Sequence, residues 1–486
     1  MKKIFSIIFF MLLASLAISQ TFELEFANPE DEIANDAFKL NDSCYILLSQ
    51  TGNFSTSDYP VINIIMLNNY GEVLNSLKIE IEIDFQLYSA QEMMFLTNDT
   101  IIIAGNGKNR TNNQYEQYFA WITNSLDFIC DTIIDDDSSS DICLNYIINK
   151  NHNIVAVGYE YYNGAPVNML IKEYSSSGEF LVRDIIDWPS DMATSIVEFP
   201  EENVYHITTL FGERDDCILV LDEDNLQIVD SIIIPGIIDP LKALKSPDNA
   251  YYVVAGKAWD ATEMMFKTSF LTSNKDLELS DLHLYGIPDT NYYYHKDCVD
   301  FVSDSIIYLA GAHNFTQSNP YLYPERRWIF MNKLKTDGTI IWQRFYKGEL
   351  NYMPYKVLAT ADGGALILSH KYDWKSPYPN QRDIHILKID STGWYEGLPP
   401  VGTDEYDGMK QILVYPNPAH DVVHFEPGLY TDLELQIFNQ AGNLLLAKTL
   451  HSHQTVDVSG FKAGIYIYVI QNKEGFLEKG KMIKEQ

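Results

Sequence analysis

The chain has 486 residues, of which 46% are hydrophobic, and it carries a formal net charge of −33 at neutral pH. This hydrophobic content is enough for one large core or several domains and excludes a disordered chain. The negative excess lies between residues 20 and 410, where it would repel the phosphates that nucleic-acid-binding proteins attract with lysine and arginine. Nucleic acid is therefore not an expected partner.

The first residues have the pattern of a secretory signal. Two lysines precede an apolar run from Ile4 to Leu16, and small residues follow up to Ser19. This order predicts a signal peptide over residues 1–19 that is cleaved after Ser19. The alternative, a membrane anchor, needs a longer apolar span. We therefore expect export to the periplasm and no transmembrane segment in the mature chain.

One apolar strand pattern recurs seven times, at intervals of 48 to 58 residues. The copies are YILLS at 45, IIIAG at 101, IVAVG at 154, VYHIT at 204, YVVAG at 252, IYLAG at 307 and ALILS at 365. A short apolar strand precedes each copy and a hairpin follows it, so the repeating unit is four antiparallel strands. In the hairpins, NNYGE, SSSGE, KTDGT and DSTGW place glycine where a tight turn needs a positive φ.

Seven four-stranded units of about fifty residues are typical of a β-propeller. The predicted fold class is therefore all-β, with a seven-bladed β-propeller over residues 20–397. A linker at 398–410 and a small Ig-like β-sandwich at 411–486 complete the predicted domains. The seventh unit has a poor fourth strand, and the alternating segment TFELEF at 21–26 is predicted to supply it and close the ring.

Several polar and aromatic residues fall at equivalent places where the innermost strands begin. Seventeen residues before the last residue of the recurring pattern stand Asp141, Asp191, Asp239, Tyr88 and Tyr352, and shorter offsets give Asp36 and Asp297. The long loops after the second strands end at the same face and carry aromatic residues such as Trp259 and Trp374. We predict that this face binds a glycan, a protein segment or a divalent cation at the channel mouth. The alternative is that the aspartates only cap turns and that tyrosine only suits strands.

Motifs for known catalytic and metal chemistry are missing from the sequence. It contains no GxSxG, HExxH, P-loop or GxGxxG in a strand-to-helix context. The five cysteines stand apart and are interpreted as buried thiols rather than disulfides or zinc ligands. No catalytic residue and no further cofactor is predicted. A carboxylate pair of the glycosidase kind leaves no motif, so a secreted hydrolase, of glycosidase or peptidase type, stays open as the alternative.

The last 76 residues begin with ILVYPNPAHD after one glutamine, and the prolines beside Asn417 favour an extended strand entry. IFNQAGN, VDVSGFKAGIYIYVI and KGKMIK follow in this order. The order resembles the C-terminal sorting domain of type IX secretion cargo, with Phe461 where that family usually has leucine. The matching residues are Tyr415, Pro416, Asn417, Pro418, Ala419, Asp421, Gly442, Leu444, Leu445, Ser459, Gly464, Tyr466, Lys479, Lys481 and Lys484.

The resemblance implies recognition of residues 411–486 by an outer-membrane translocon. It also implies a protein that is secreted or held at the outer cell surface. The propeller repeats are similar to degenerate propellers in other cargo of this pathway. We therefore expect an exported propeller that binds a glycan or protein ligand and performs no chemistry. A hydrolase and a structural surface-layer component are the alternatives.

Overall fold

A computed structural model describes most of the chain in 21 segments. These are residues 21–27, 30–53, 58–81, 84–134, 140–162, 165–188, 192–210, 216–286, 290, 292–293, 295–314, 327–346, 348, 350–373, 382–395, 413–415, 417–426, 433–440, 442–450, 454–472 and 475–485. The predicted signal peptide and linker lie outside them. Within the described segments, no helix has the length and apolar character needed to cross a membrane.

The first four blades each consist of four consecutive antiparallel strands. Blade 1 contains β2 (Asp31–Asn41), β3 (Cys44–Asn53), β4 (Asp58–Asn68) and β5 (Val73–Glu80). Blade 2 contains β6 (Phe85–Thr97), β7 (Thr100–Asn109), β8 (Tyr115–Thr123) and β9 (Phe128–Ile134). Blade 3 contains β10 (Asp141–Ile148), β11 (Ile154–Tyr162), β12 (Ala165–Tyr174) and β13 (Phe180–Ile186). Blade 4 contains β14 (Met192–Phe199), β15 (Val204–Leu210), β16 (Cys217–Asp222) and β17 (Ile228–Ile233).

The last three blades vary this plan. Blade 5 contains β18 (Ile237–Lys245), β19 (Tyr251–Asp260), β20 (Met265–Asn274) and a short β21 (His283–Tyr285). The innermost strand of blade 6 is in two pieces, β22 (Tyr292–Tyr293) and β23 (Val299–Ser303), beside β24 (Ile306–His313), β25 (Trp328–Lys335) and β26 (Ile340–Tyr346). Blade 7 contains β27 (Asn351–Ala359), β28 (Ala365–Tyr372), β29 (Arg382–Ile389) and, from the chain start, β1 (Phe22–Phe26).

The innermost strands contact one another in a closed cycle. The strand β2 contacts β6, the series continues through β10, β14, β18, β23 and β27, and β27 contacts β2 again. The seven sheets therefore surround one axis, and the predicted seven-bladed propeller is confirmed. The seven recurring patterns form the second strands, where their apolar side chains are buried except for that of Val204, which is half-buried.

Several of these patterns end in glycine because a side chain at that position would clash with the backbone of the neighbouring innermost strand. A Cβ on Gly105 would lie 2.3 Å from the Ser89 carbonyl oxygen, and one on Gly158 would lie 2.0 Å from that of Ile142. Each glycine faces a β-bulge in the innermost strand of its blade. A residue with a side chain would push the bulge away.

The predicted tight turns are confirmed at the glycines of NNYGE, SSSGE, KTDGT and DSTGW. Their φ angles are positive, 80° at Gly71, 84° at Gly178, 89° at Gly338 and 79° at Gly393. In the first of these turns, the Asn68 side chain accepts hydrogen bonds from two backbone N–H groups of the turn. Such side-chain caps satisfy turn amides that the ladder leaves unpaired.

The predicted closure of the ring is also confirmed. Strand β1 pairs with β29 in antiparallel register, from Phe22 opposite Lys388 to Phe26 opposite Ile384. The next segment then bonds back to blade 7, because the Asp31 carboxylate accepts hydrogen bonds from the backbone and guanidinium of Arg382 at 2.6 to 3.1 Å. Both ends of the propeller sequence are thus held in one blade.

The C-terminal strands form two smaller sheets, as the predicted β-sandwich requires. One sheet contains β30 (Leu413–Tyr415), β31 (Val422–Glu426) and β34 (Gln454–Asp457). The other contains β32 (Leu433–Asn439), β33 (Leu444–Leu450), β35 (Gly464–Asn472) and β36 (Gly475–Lys484). Buried residues of both sheets, such as Phe425, Ile437 and Tyr468, form one core.

The closing strand gives a stability prediction. Leu24 packs half-buried against the core between blades 1 and 7, so Leu24→Ala should lower the free energy of unfolding by about 1–2 kcal/mol. Leu181→Ala, on the exposed outer strand of blade 3, is the control and should change it by about 0.5 kcal/mol or less. All seven tryptophans precede residue 395, so tryptophan fluorescence during urea unfolding of the full chain reports on the propeller. Equal effects of the two substitutions would contradict a closing role for β1.

Candidate ligand-binding site

A ring of polar side chains lies at the centre of the propeller, one from each blade. In six blades the residue directly follows a break in the register of the innermost strand, and in blade 6 it bridges to blade 7. The residues, named here the central ring, are Asp36, Glu92, Asn145, Ser195, Lys242, Asp297 and Lys356. Asp36 and Asp297 were predicted as site residues, and the other five were not.

The central ring joins neighbouring blades through hydrogen bonds to the backbone. The Asp36 carboxylate accepts the Met93 N–H at 2.8 Å, and Glu92 accepts the Tyr146 N–H at 2.9 Å. In the same way, Asn145 accepts from Ile196 and Ser195 accepts from Ala243, both at 3.0 Å. A bulge leaves one backbone N–H without a partner in its own sheet. The ring side chain of the preceding blade accepts the hydrogen bond from that N–H.

Lysines neutralise the acidic members of the central ring. Lys242 Nζ lies 3.0 Å from Glu92 and 2.8 Å from Asp297, and Lys356 Nζ lies 2.9 Å from Asp36. Glu92 is in blade 2 and Lys242 is in blade 5, so this ion pair crosses the axis. Four of these five side chains are buried and that of Lys356 is 15% exposed, so an unpaired charge here would be costly.

The pKa shifts of these groups follow from burial and charge. Burial raises the pKa of the Asp297 carboxyl, but three lysines, Lys242 above all, outweigh it and hold that pKa far below its usual range. Burial lowers the pKa of Lys242, yet Asp297 and Glu92 raise it well above its usual range. At Asp36, burial raises the pKa more than Lys356 lowers it. Lys242 and Asp297 therefore stay charged at neutral pH.

The lysine ammonium groups lie where a bound cation would have to contact these carboxylates. Among the described residues, no three histidines, cysteines or carboxylates are grouped to hold a metal ion. The structure thus gives Asp36 and Asp297 a role in joining blades. A divalent cation at the channel mouth stays a prediction.

The other predicted acids lie closer to the face where the innermost strands begin, which we call the entry face. Asp141 opens β10 and is buried between Lys172 Nζ at 2.7 Å and Arg183 Nε at 2.8 Å. Burial raises the pKa of Asp141, but its bonds to Arg183 and Lys172 bring it below the usual range. Asp239 pairs with Lys257 at 2.5 Å and has a positive φ of 73°. Asp191 lies outside the described residues.

The predicted aromatic residues also lie at the entry face, in different blades. Trp259 in blade 5 is 39% exposed, and its ring centroid lies 4.9 Å from that of Phe266. Tyr352 in blade 7 packs against His385 at 4.9 Å between centroids. Trp374 lies outside the described residues. Of the predicted aromatic residues, Tyr88 lies in a group of half-buried tyrosine rings, which is described below.

Blade 7 contains a Ser–His–Glu chain that resembles a catalytic triad only in composition. Ser369 Oγ lies 2.7 Å from His385 Nδ1, and His385 Nε2 lies 2.8 Å from Glu23 Oε1. Ser369 is fully buried between strands, whereas a nucleophile must reach its substrate. The chain of bonds therefore ties β1 to β29 and β28.

Four tyrosines from blades 2 and 3 form a continuous aromatic group at the entry face. We call Tyr88, Tyr115, Tyr159 and Tyr161 the tyrosine cluster. The ring centroids of Tyr88 and Tyr115 are 5.5 Å apart, those of Tyr115 and Tyr161 are 5.2 Å apart, and those of Tyr159 and Tyr161 are 6.4 Å apart. All four side chains are half-buried. The sequence placed Tyr88 and the aromatic residues of the long loops on one face, but it could not show which of their rings are in contact.

Both blades hold the tyrosine cluster through Ser140. Its hydroxyl accepts a hydrogen bond from the Tyr115 N–H at 3.0 Å, and its carbonyl accepts one from the Tyr161 N–H at 2.7 Å. Lys108 Nζ lies 5.6 Å from the centre of the Tyr115 ring. Burial, and then the neighbouring tyrosines, raise the pKa of Tyr115 to about 12, so this phenol is neutral and can donate a hydrogen bond at physiological pH.

The charged network beside the tyrosine cluster is ordered by the same strands. Arg183 bridges Asp141 and Glu160, the latter at 3.1 Å, and Asn168 donates to Glu160 at 2.8 Å. Half-buried aromatic faces beside fixed polar groups are typical of sites for sugars and for peptide segments.

The sorting-motif residues serve the packing of the C-terminal sandwich. Ala419 is completely buried, Tyr466 Oη donates to the Lys462 carbonyl at 2.6 Å, and Gly442 forms a turn with φ 79°. The variant Phe461 packs on Tyr466 with 5.0 Å between centroids. Of the other matched residues, Tyr415 pairs with His424 in the strand ladder, the Asp421 carbonyl accepts the Val458 N–H, and Lys479, Lys481 and Lys484 lie in β36. Pro416 lies outside the described residues.

The ion pair across the axis gives a second stability prediction. Lys242→Met removes the shared cation of two buried carboxylates, Glu92 and Asp297, and should cost about 3–5 kcal/mol of the free energy of unfolding. Lys39→Met removes an exposed pair with Asp42 and should cost about 1 kcal/mol or less. Urea unfolding monitored by tryptophan fluorescence measures both. Similar losses in the two variants would contradict the structural role of the central ring.

Comparison with solved structures finds proteins of very low sequence identity. Hydrazine synthase of Kuenenia stuttgartiensis is 10% identical, with 69% of this chain and 91% of that chain covered and a TM-score of 0.43. The WD40 domain of SCAP from fission yeast is 8% identical, with 76% and 98% covered and a TM-score of 0.39. A polysaccharide lyase, an ulvan lyase, is 7% identical, with 76% and 96% covered and a TM-score of 0.46. We draw nothing about function from these similarities.

The C-terminal segment gives a more specific match. Among proteins with curated functions, none matches the sequence of the chain. Residues 413–485, however, match the family model of the secretion system C-terminal sorting domain, Por_Secre_tail. This range coincides with the two C-terminal sheets and contains the motif residues described above. Residues 413–485 are therefore a type IX C-terminal sorting domain, and the chain is an exported cargo protein with a propeller fold.

Proposed function

We propose that this exported propeller is a binding protein and that its ligand, a glycan or a protein segment, binds at the tyrosine cluster. The observation that carries the proposal is the contact of four half-buried tyrosine rings from two blades at one face. Aromatic rings held in this way offer a large apolar surface and lose little side-chain entropy on binding.

The chemistry of the cluster suits a ligand with both apolar faces and hydroxyl or amide groups. Neutral phenols such as Tyr115 donate and accept hydrogen bonds, while the rings contact the apolar face of a sugar or a side chain. The nearby Arg183 and Glu160 add polar groups whose positions are fixed by ion pairs. The propeller as a whole is strongly acidic, which favours neutral or basic ligands over acidic ones.

The export route supports the same proposal. A sorting domain delivers the propeller to the cell surface or the medium, where glycans and foreign proteins are accessible. We further propose that export passes through the periplasm by means of residues 1–19. Mass spectrometry of the exported chain determines whether residues 413–485 are retained, removed or modified after export. That result distinguishes a protein that stays anchored from one that is released.

A substitution series tests the binding site. The exported full chain is screened on glycan and peptide arrays, and the best ligand is titrated by calorimetry. Tyr115→Ala should weaken binding about 10-fold or more, because truncating a central aromatic contact costs about 2 kcal/mol. Tyr115→Phe keeps the ring and should retain most of the affinity. Tyr70→Ala, on the opposite face where Tyr70 is 64% exposed, is the matched control.

Unchanged affinity in Tyr115→Ala would contradict binding at the tyrosine cluster. Cleavage of the bound ligand, abolished by substitution of one nearby carboxylate such as Glu160, would replace the binding function with the alternative hydrolase.

A further inference from the structure

The side chain of Asn417 takes the place of a backbone amide in the sorting domain. Its Nδ2 donates to the Lys481 carbonyl at 2.8 Å, and its Oδ1 accepts the Ile483 N–H at 2.8 Å. These two partners stand on either side of Met482, as they do for a residue in a parallel ladder. The carboxamide therefore pairs with β36 as a strand residue would.

The main chain continues this ladder two residues later. The Ala419 N–H donates to the Ile483 carbonyl at 2.7 Å, and the Ala419 carbonyl accepts the Glu485 N–H at 2.8 Å. Ala419 and Lys484 thus form a parallel bridge. The next residue to pair in such a ladder, two before Ala419, is Asn417, and it bonds to Lys481 and Ile483 through its side-chain carboxamide.

The polar groups of the motif are thus bonded to the last strand. Asn417 is exposed, but both polar atoms of its carboxamide are engaged there, and Ala419 is completely buried. The strand that they hold has an outward face. On it, Ile483 is 37% exposed, and Lys481 lies opposite Ile467, which is 39% exposed.

We propose that Asn417 is a positioning residue, and that the export machinery reads the folded last strand rather than the side chains of the YPNPA motif. The proposal rests on the sorting domain and is independent of the ligand at the tyrosine cluster. It explains why a motif about seventy residues before the chain end accompanies basic residues at the end itself: the first fixes the second in register.

The test combines exchange and export measurements on the full chain. In Asn417→Ala, the loss of two hydrogen bonds should speed hydrogen exchange of the Ile483 amide by about 10-fold, and the exported fraction should fall several-fold. Asn443→Ala, at an exposed position in the turn before β33, is the control and should change neither. Tryptophan fluorescence confirms that the propeller is folded in both variants.

A disulfide that replaces the hydrogen bonds separates positioning from direct recognition. Ala419→Cys with Lys484→Cys joins the two bridged residues in the oxidising periplasm. The pair is added to Asn417→Ala, and because Lys484 itself lies in the last strand, the reference for this variant is Asn417→Ala with Lys484→Cys alone. The cross-link should restore exchange protection and raise export above that reference. Export that is normal in Asn417→Ala, protection that is unchanged there, or a cross-linked chain that is exported no better than the reference would each overturn the proposal.

Discussion

The ion pair that crosses the propeller axis, between Lys242 of blade 5 and Glu92 of blade 2, is the contact on which the centre of the structure depends. Seven innermost strands converge there, and in six of them a bulge leaves an amide that needs an acceptor. Polar side chains supply these acceptors. As a result three carboxylates, Asp36, Glu92 and Asp297, lie close together on the axis and need cations to balance their charge. Lys242 and Lys356 provide these cations within the ring, so charges of the protein itself fill the axis. The proposed ligand site therefore lies at the entry face and not on the axis.

Much of the fold follows from the sequence because each blade repeats the same local rules. The recurring apolar pattern marks the second strands, glycine marks four of the turns, and the alternation of TFELEF predicts the closing strand. The same turn position is occupied by Leu126, Leu226 and Leu277 with φ of 67°, 57° and 60°, which no glycine rule detects. Leu126 and Leu277 are buried, and this burial offsets the strained backbone.

The candidate site could be predicted only in part, and the reason is the bulge. An offset of seventeen residues leads to Asp141, Asp239, Tyr88 and Tyr352 at the entry face, while the residues on the axis come three or four positions later in the same strands. An extra residue in a strand changes which side chains face the centre, and sequence spacing does not reveal it. The tyrosine cluster depends in turn on how two blades meet at Ser140, which is a long-range contact. By contrast, the sorting domain was recognisable because its motif residues occur in a fixed order along the chain, although Asn417 bonds to a strand that is more than sixty residues away.

Residues 413–485 determine the destination of the protein, and the tyrosine cluster is the proposed site of its activity. The assignment of activity is the central claim, and a crystal structure of the exported chain with its bound ligand tests it most directly. The account predicts that the ligand contacts Tyr115 and Tyr161 and that Lys242 remains bonded to Glu92. A ligand bound on the axis, with Lys242 displaced from Glu92, would contradict it.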